Sequence, residues 1–230
     1  MGADEDVLAH RGKEVARPDG GQPPEPATAP VVTLFETYGS GAGYIGPRVA
    51  QALGVPFREQ AFSSEQLEQA AELREREGVL ARLLTAMGFS DFGGFDTGDV
   101  ASAQRDRYDL VVDNTARIEQ WGRQGGVMVG RNGALILADW PNALHVLLDG
   151  PVEQRIERAA KEAGISLERA AKRQKNEDRV RIRMSQELYG WDPRDPIRYD
   201  LMLNTGRLDL DACVEIIAQA WRAKTGRRAG

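Results

Sequence analysis

Residues 31–49, VVTLFETYGSGAGYIGPRV, constrain this chain more than any other stretch. An apolar, β-rich run passes into a loop holding Gly39, Gly41, Gly43 and Gly46, and Pro47 then suits the first turn of a helix. A strand that feeds a helix through glycines gathers bare backbone N–H groups and the positive end of a helix dipole at one point. That arrangement holds phosphate, so the expected fold is α/β with a phosphate site on this loop. The pattern G-x-x-x-x-G-K-[ST] would continue with a lysine and a hydroxyl, but here Gly43 is followed by Tyr44 and Ile45. The same glycines also spell Gly41-x-Gly43-x-x-Gly46, the dinucleotide fingerprint, with Glu59 near the place of a ribose-binding acid. Five residues separate Phe35 from Gly41 and Pro56 interrupts the approach to Glu59, both of which count against an NAD site. A plain strand-to-helix turn is the third reading of the loop.

The rest of the chain repeats the strand and helix alternation. Residues 1–30 combine Pro23, Pro24, Pro26 and Pro30 with scattered charge and no apolar period, which reads as a disordered tail. Residues 31–230 then form one nucleotide-binding domain. A short helix over 47–53 ends at Gly54, and Ser63 or Ser64 caps a polar helix reaching about residue 77. A longer helix is expected over 100–123, a buried strand at GGVMVG, and further strands at 143–148 and 199–203. Pro151 opens the helix after the second of these, and Ser166 starts a charged helix continuing to 189. Leu210, Val214, Ile217 and Trp221 lay one apolar stripe along a final helix. Such alternation implies a parallel sheet covered on both faces.

Composition sets the outer limits. At 230 residues with a formal charge of −5, the chain lacks the basic surface that nucleic acid or an anionic membrane would require. One cysteine excludes an internal disulfide and fits a reducing compartment, and no apolar run approaches a membrane span, so a cytoplasmic location is expected. His145 alternates with apolar residues and Cys213 lies on the last helix, so both read as core.

Lys175, Arg179 and Arg183 follow at four-residue spacing on the charged helix, with Lys172 close by. Like charges so spaced repel, and a polyanion relieves them, which suits a cationic lid over a triphosphate. The alternative is a solvated face with Glu177–Arg181 and Arg183–Glu187 as ordinary helical pairs.

The segments YGSGAGYIGPRVAQALGVPF, GGVMVGRNGALIL, ALHVLLDGPVEQRIERA, KNEDRVRIR and ELYGWDPRDPIRYDLMLNT occur in that order. Together they resemble the cytidylate kinase-like family, relatives of the bacterial cytidylate kinases within the P-loop nucleoside monophosphate kinases. The resemblance implies a three-layer P-loop kinase-like fold with a parallel sheet and a helical lid at about 166–196. It also implies ATP and Mg²⁺ as cofactors and a nucleoside monophosphate or similar small acceptor. By this resemblance Gly39, Ser40, Gly41, Ala42, Gly43 and Gly46 belong to the phosphate loop, and Arg131 and Asn132 to the acceptor site. Asp178, Arg179, Arg181 and Arg183 fall in the lid cluster. Tyr44 stands where the phosphate-bridging lysine is expected, Gly46 where a Mg²⁺-binding hydroxyl is expected, and Asn132 replaces an aspartate. Arg48, one turn beyond Tyr44, is the nearest substitute cation. No protein ligand to a metal is assignable, Asp149 and Asp113 being distant carboxylates. Three functions follow from these features: a phosphotransferase using Arg179, Arg181, Arg183 and Arg48, a degenerate kinase that binds nucleotide without turnover, and an NAD-binding oxidoreductase. In the first two the partners are small nucleotides.

Overall fold

The computed structural model describes residues 29–59, 64, 100–130 and 132–226, with side chains outside 100–110. The expected helix up to residue 77 (Ser64 itself is helical), the tail before 29 and Arg131 lie outside the described residues.

Five parallel strands form one sheet in the order β2-β3-β1-β4-β5. They are β1 (Val31–Glu36), β2 (Phe57–Arg58), β3 (Gly126–Val129), β4 (Ala143–Asp149) and β5 (Leu201–Asn204). The three central strands are apolar almost throughout, as a sheet covered on both faces requires. On one face, α1 (Ala42–Leu53) and α6 (Leu210–Thr225) pack Ile45, Val49, Ile217 and Trp221 against Val32, Leu34, Val146 and Leu148. On the other, Ile118 from α2 (Val100–Gln124) joins Leu137 and Trp140 from around α3 (Gly133–Ile136) over Val31 and Met128. Each fully buried aliphatic side chain of this kind contributes roughly 1.5–3 kcal/mol. This is the three-layer α/β architecture expected from the alternation.

His145 is buried in β4, where the Thr33 hydroxyl donates to Nδ1 at 2.8 Å and Nε2–H donates to the Leu137 carbonyl at 3.2 Å. Burial lowers its pKa to about 4, so it is a neutral core residue. Cys213 on α6 is also buried, as the core reading expected.

Two local differences from the sequence expectation matter for the site. Helix α1 begins at Ala42, not at Pro47, because Gly41 with φ 90° turns the chain into the helix. Pro47 therefore lies inside α1, near enough to its start for only the first turn to lose a hydrogen bond. Strand β2 is two residues long and pairs with Val127 and Met128, a contact made by tertiary pairing and not by any local pattern. Beyond β4, α4 (Val152–Ala163) and α5 (Leu167–Tyr189) follow, and the Ser166 hydroxyl caps α5 by accepting from the Arg169 amide at 3.2 Å. Among the described residues no helix is long and apolar enough to cross a membrane.

Candidate phosphate-binding site

The chain leaves β1 at Glu36 and enters α1 at Ala42, so the intervening loop lies at the carboxyl edge of the sheet, where α/β proteins bind ligands. Gly39 has φ 78° and a Cβ there would stand 2.2 Å from the Arg155 carbonyl, so no other residue fits. Ser40 is buried. Its hydroxyl donates to Thr37 Oγ1 at 2.7 Å, and Thr37 donates to Asp149 Oδ1 at 2.6 Å. Asp149 thus braces the loop through Thr37.

Helices α4 and α5 hold the loop from outside. Arg155 donates from Nη1 to the Tyr38 carbonyl at 2.9 Å, and Arg158 donates to the Gly39 carbonyl at 2.8 Å and the Thr205 carbonyl at 2.6 Å. Asp178 on α5 accepts from the Tyr38 amide at 2.7 Å and pairs with Arg155 at 3.1 Å. Arg155 is buried, and a buried charge of this kind is tolerated only when such partners surround it.

Between the loop, β2, α4 and α5 lies a cleft of about 420 Å³. Gly39, Gly41, Ala42 and Gly43 line one wall, and Arg173 and Arg181 reach in from α5. Arg181 donates to Glu177 Oε2 at 2.8 Å and stands 4.0 Å from Glu36. Glu36 in turn accepts from the Ala42 amide, at 3.0 Å, with Oε2. Burial pushes the Glu177 carboxyl upward, while Arg181 and the Ser64 hydroxyl oppose that shift. Burial likewise raises the Tyr38 phenol, with Glu177 adding to the rise and Arg173 countering it by charge and hydrogen bond. The wall that faces the loop amides is therefore a coupled row of charges, not open solvent.

The structure brings together part of the expected site. Gly39, Ser40, Gly41, Ala42 and Gly43 all belong to the loop, although Ser40 is turned inward. Gly46 does not: it is buried inside α1, and a Cβ there would meet Phe57 at 2.4 Å, so it packs the helix on β2. Of the three lid arginines only Arg181 lines the cleft. Arg179 and Arg183 are exposed, and Arg179 donates to Asn176 at 2.9 Å. Arg173, Glu177 and Arg181, two positions out of phase with the basic row, form the inward stripe. The expected Glu177–Arg181 helical pair is present.

Arg48 does not turn into the cleft. Its guanidinium lies 3.4 Å above the Tyr44 ring centroid and donates to the Tyr44 carbonyl, while the Tyr44 hydroxyl donates to Asp211 at 2.8 Å. Neither Tyr44 nor Arg48 is among the lining residues, so the place of the missing lysine is not taken by either side chain. Asn132, at φ 59°, begins α3 and accepts from Trp191 Nε1 at 2.9 Å, which fixes the end of β3 to the segment after α5. Trp191 and Tyr199 pack on each other, with ring centroids 6.4 Å apart. Glu59, the acid of the dinucleotide reading, does line the cleft. Yet Gly46 is a packing glycine, and α1 starts well after β1 ends, unlike a dinucleotide turn.

Sequence reasoning missed Glu36, Arg173, Arg155 and Arg158. A spacing of three, four and three was available to place Arg173 on an inward face, through Ala170, Arg173, Glu177 and Val180, with Arg181 four residues beyond Glu177. Nothing local marks Arg155 or Arg158 as clamps on the loop, because the loop carbonyls they hold, Tyr38 and Gly39, lie over 100 residues away in the chain. Among the described residues no group of three or more His, Cys, Asp and Glu side chains is placed to hold a metal ion.

Known proteins bear on this geometry. The chain is 26% identical to a cytidylate kinase of Methanopyrus kandleri over 83% of this chain and 92% of that protein. It is 37% identical to a uronate isomerase of Corynebacterium glutamicum over 50% of this chain, a match that spans 22% of that protein. The crystal structure of an uncharacterized protein from Eubacterium ventriosum covers 84% of this chain and 99% of its own, with a TM-score of 0.57 at 17% identity, which shows a shared fold. The cytidylate kinase-like family matches residues 31–207, most of the chain including every element from β1 to β5. This protein belongs to the cytidylate kinase-like family.

Proposed function

We propose that the chain is a phosphotransferase that moves the terminal phosphoryl group of ATP to a nucleoside monophosphate or a similar small acceptor. The observation that carries this reading is the juxtaposition, across one cleft, of the glycine loop at the start of α1 with Arg173 and Arg181 of α5. Amides of Gly41, Ala42 and Gly43 hold the donor's phosphates, and the two arginines neutralise charge on the transferring group. With a phosphate acceptor the attacking oxygen is already anionic, so the bond to it forms as the bond to the leaving diphosphate breaks, without a general base. That agrees with a cleft whose described lining holds no histidine, His145 being a neutral core residue. Mg²⁺, if bound with the nucleotide, would supply neutralisation of phosphate charge, and no described side chain is assigned to hold it. Arg131 and Asn132 serve the acceptor side, and Trp191 holds Asn132 in place.

The second reading, a family member that binds nucleotide without turnover, is favoured by one observation: neither Tyr44, at the place of the absent lysine, nor Arg48 lines the cleft. A transfer assay with ATP, Mg²⁺ and a panel of nucleoside monophosphates separates the two, with nucleotide binding measured in parallel. Turnover that falls about a hundredfold in Arg181→Ala supports the phosphotransferase. Binding without turnover supports the second reading.

A further inference from the structure

The seat for the donor phosphate already holds an anion. Glu36 ends β1, where its backbone is fixed by pairing opposite Leu148, and its side chain folds back so that Oε2 accepts from the Ala42 amide at 3.0 Å. Ala42 is the first residue of α1, and the residue before it, Gly41, supplies no side-chain cap. The carboxylate therefore provides the negative charge that the start of the helix favours. Its other oxygen faces Arg181 at 4.0 Å, and Arg181 is one of the two cations that line the cleft.

Resting on the phosphate-loop reading above, we propose that Glu36 is a built-in competitor for the phosphate seat, an autoinhibitory carboxylate that an incoming polyphosphate must displace from the Ala42 amide. Displacement needs no backbone movement, because β1 is paired with β3 as far as Leu34 and with β4 through Glu36, and only the side-chain torsions of Glu36 change. The freed carboxylate swings toward Arg181, drawing on the charge that otherwise faces the ligand. Nucleotide affinity is thereby set by a contest within the protein, and the lysine missing at Tyr44 leaves Arg173 and Arg181 to settle it. Binding then discriminates against weak anions. A single phosphate gains too little to evict the carboxylate, whereas a triphosphate reaches several loop amides and both arginines.

The test is calorimetric titration of the full chain and its Glu36→Gln and Glu36→Ala variants with inorganic triphosphate and with MgATP, alongside thermal melts. Gln keeps the shape and a weaker acceptor for the Ala42 amide, so it controls for folding. The expected result is binding roughly ten- to a hundredfold tighter in Glu36→Gln, tighter still in Glu36→Ala, with a lower melting temperature in Glu36→Ala from loss of the cap. Equal or weaker binding in both variants while the unaltered chain binds overturns the competitor role and leaves the phosphate loop standing. Absence of binding in all three, with folded melts, overturns the phosphate-loop reading itself.

Discussion

Replacing Gly43 by alanine separates the loop's structural needs from its binding role. Gly43 lies in the first turn of α1 with an ordinary helical φ, and a Cβ there meets nothing within 4 Å. Alanine in a helix is better than glycine by about 0.5–1 kcal/mol, since glycine loses more backbone freedom on folding. For a chain of this size that gain corresponds to a rise of roughly 1–4 °C in melting temperature. The same methyl group projects from a residue that lines the cleft, over the amides proposed to meet phosphate. Preventing one charge-assisted hydrogen bond costs about 1.5–3 kcal/mol, or roughly ten- to a hundredfold in Kd for MgATP. Differential scanning calorimetry and titration calorimetry on the same preparation read both effects. A protein that melts higher and binds more weakly is the prediction. Raised stability with unchanged affinity would refute the assignment of these amides to phosphate, because the variant would then have blocked nothing.

Other substitutions follow from the same geometry. Gly46→Ala drives a methyl to 2.4 Å from Phe57, so it should destabilise the fold by about 1–3 kcal/mol in urea titration, as overpacking does. Asp178→Ala removes the nearer of two carboxylates beside buried Arg155, leaving Asp149 at 3.5 Å, and frees the Tyr38 amide; it should lower stability by about 1–3 kcal/mol while loosening the loop, and an unchanged urea midpoint counts against the clamp. His145 binds its proton more weakly in the folded state, at about 4, than in the unfolded state at about 6.5, so unfolding takes up a proton between these values. Stability should accordingly fall by roughly 3 kcal/mol as pH drops from 6.5 to 4, and His145→Gln should flatten that part of the profile. Arg179→Ala and Arg183→Ala, on the exposed face of α5, should change transfer rates less than twofold, whereas Arg181→Ala should lower them about a hundredfold.

The sequence carried the skeleton of this fold because its signals are local. Continuous apolar runs marked β1, β3 and β4, Gly54 marked the end of α1, and Ser166 marked the start of α5. The face of α5 that lines the cleft is not the one its charge spacing marks, because spacing carries no information on burial. Lys175, Arg179 and Arg183 share a stripe, but Arg173 and Arg181 spend their charge inside, paired with Glu177 and Tyr38. Helix α1 starts earlier than Pro47 suggested because the left-handed φ of Gly41 turns the chain into the helix ahead of the proline, and that φ is not legible in the sequence. Glu36 reads as the polar end of a strand, and its reach to Ala42 depends on how tightly the loop returns. The arginine clamp of Arg155 and Arg158 depends on long-range packing of α4 and leaves no mark on its own segment beyond an amphipathic pattern.

In the proposed function the amides at the start of α1 receive a nucleotide's phosphates. Backbone amide shifts recorded while MgATP is titrated into the isotopically labelled protein test it most directly. The account predicts the largest saturable changes at Gly41, Ala42 and Gly43, with coupled changes at Arg173 and Arg181. Changes confined to the exposed row of Lys175, Arg179 and Arg183, with the loop amides unmoved, would contradict it.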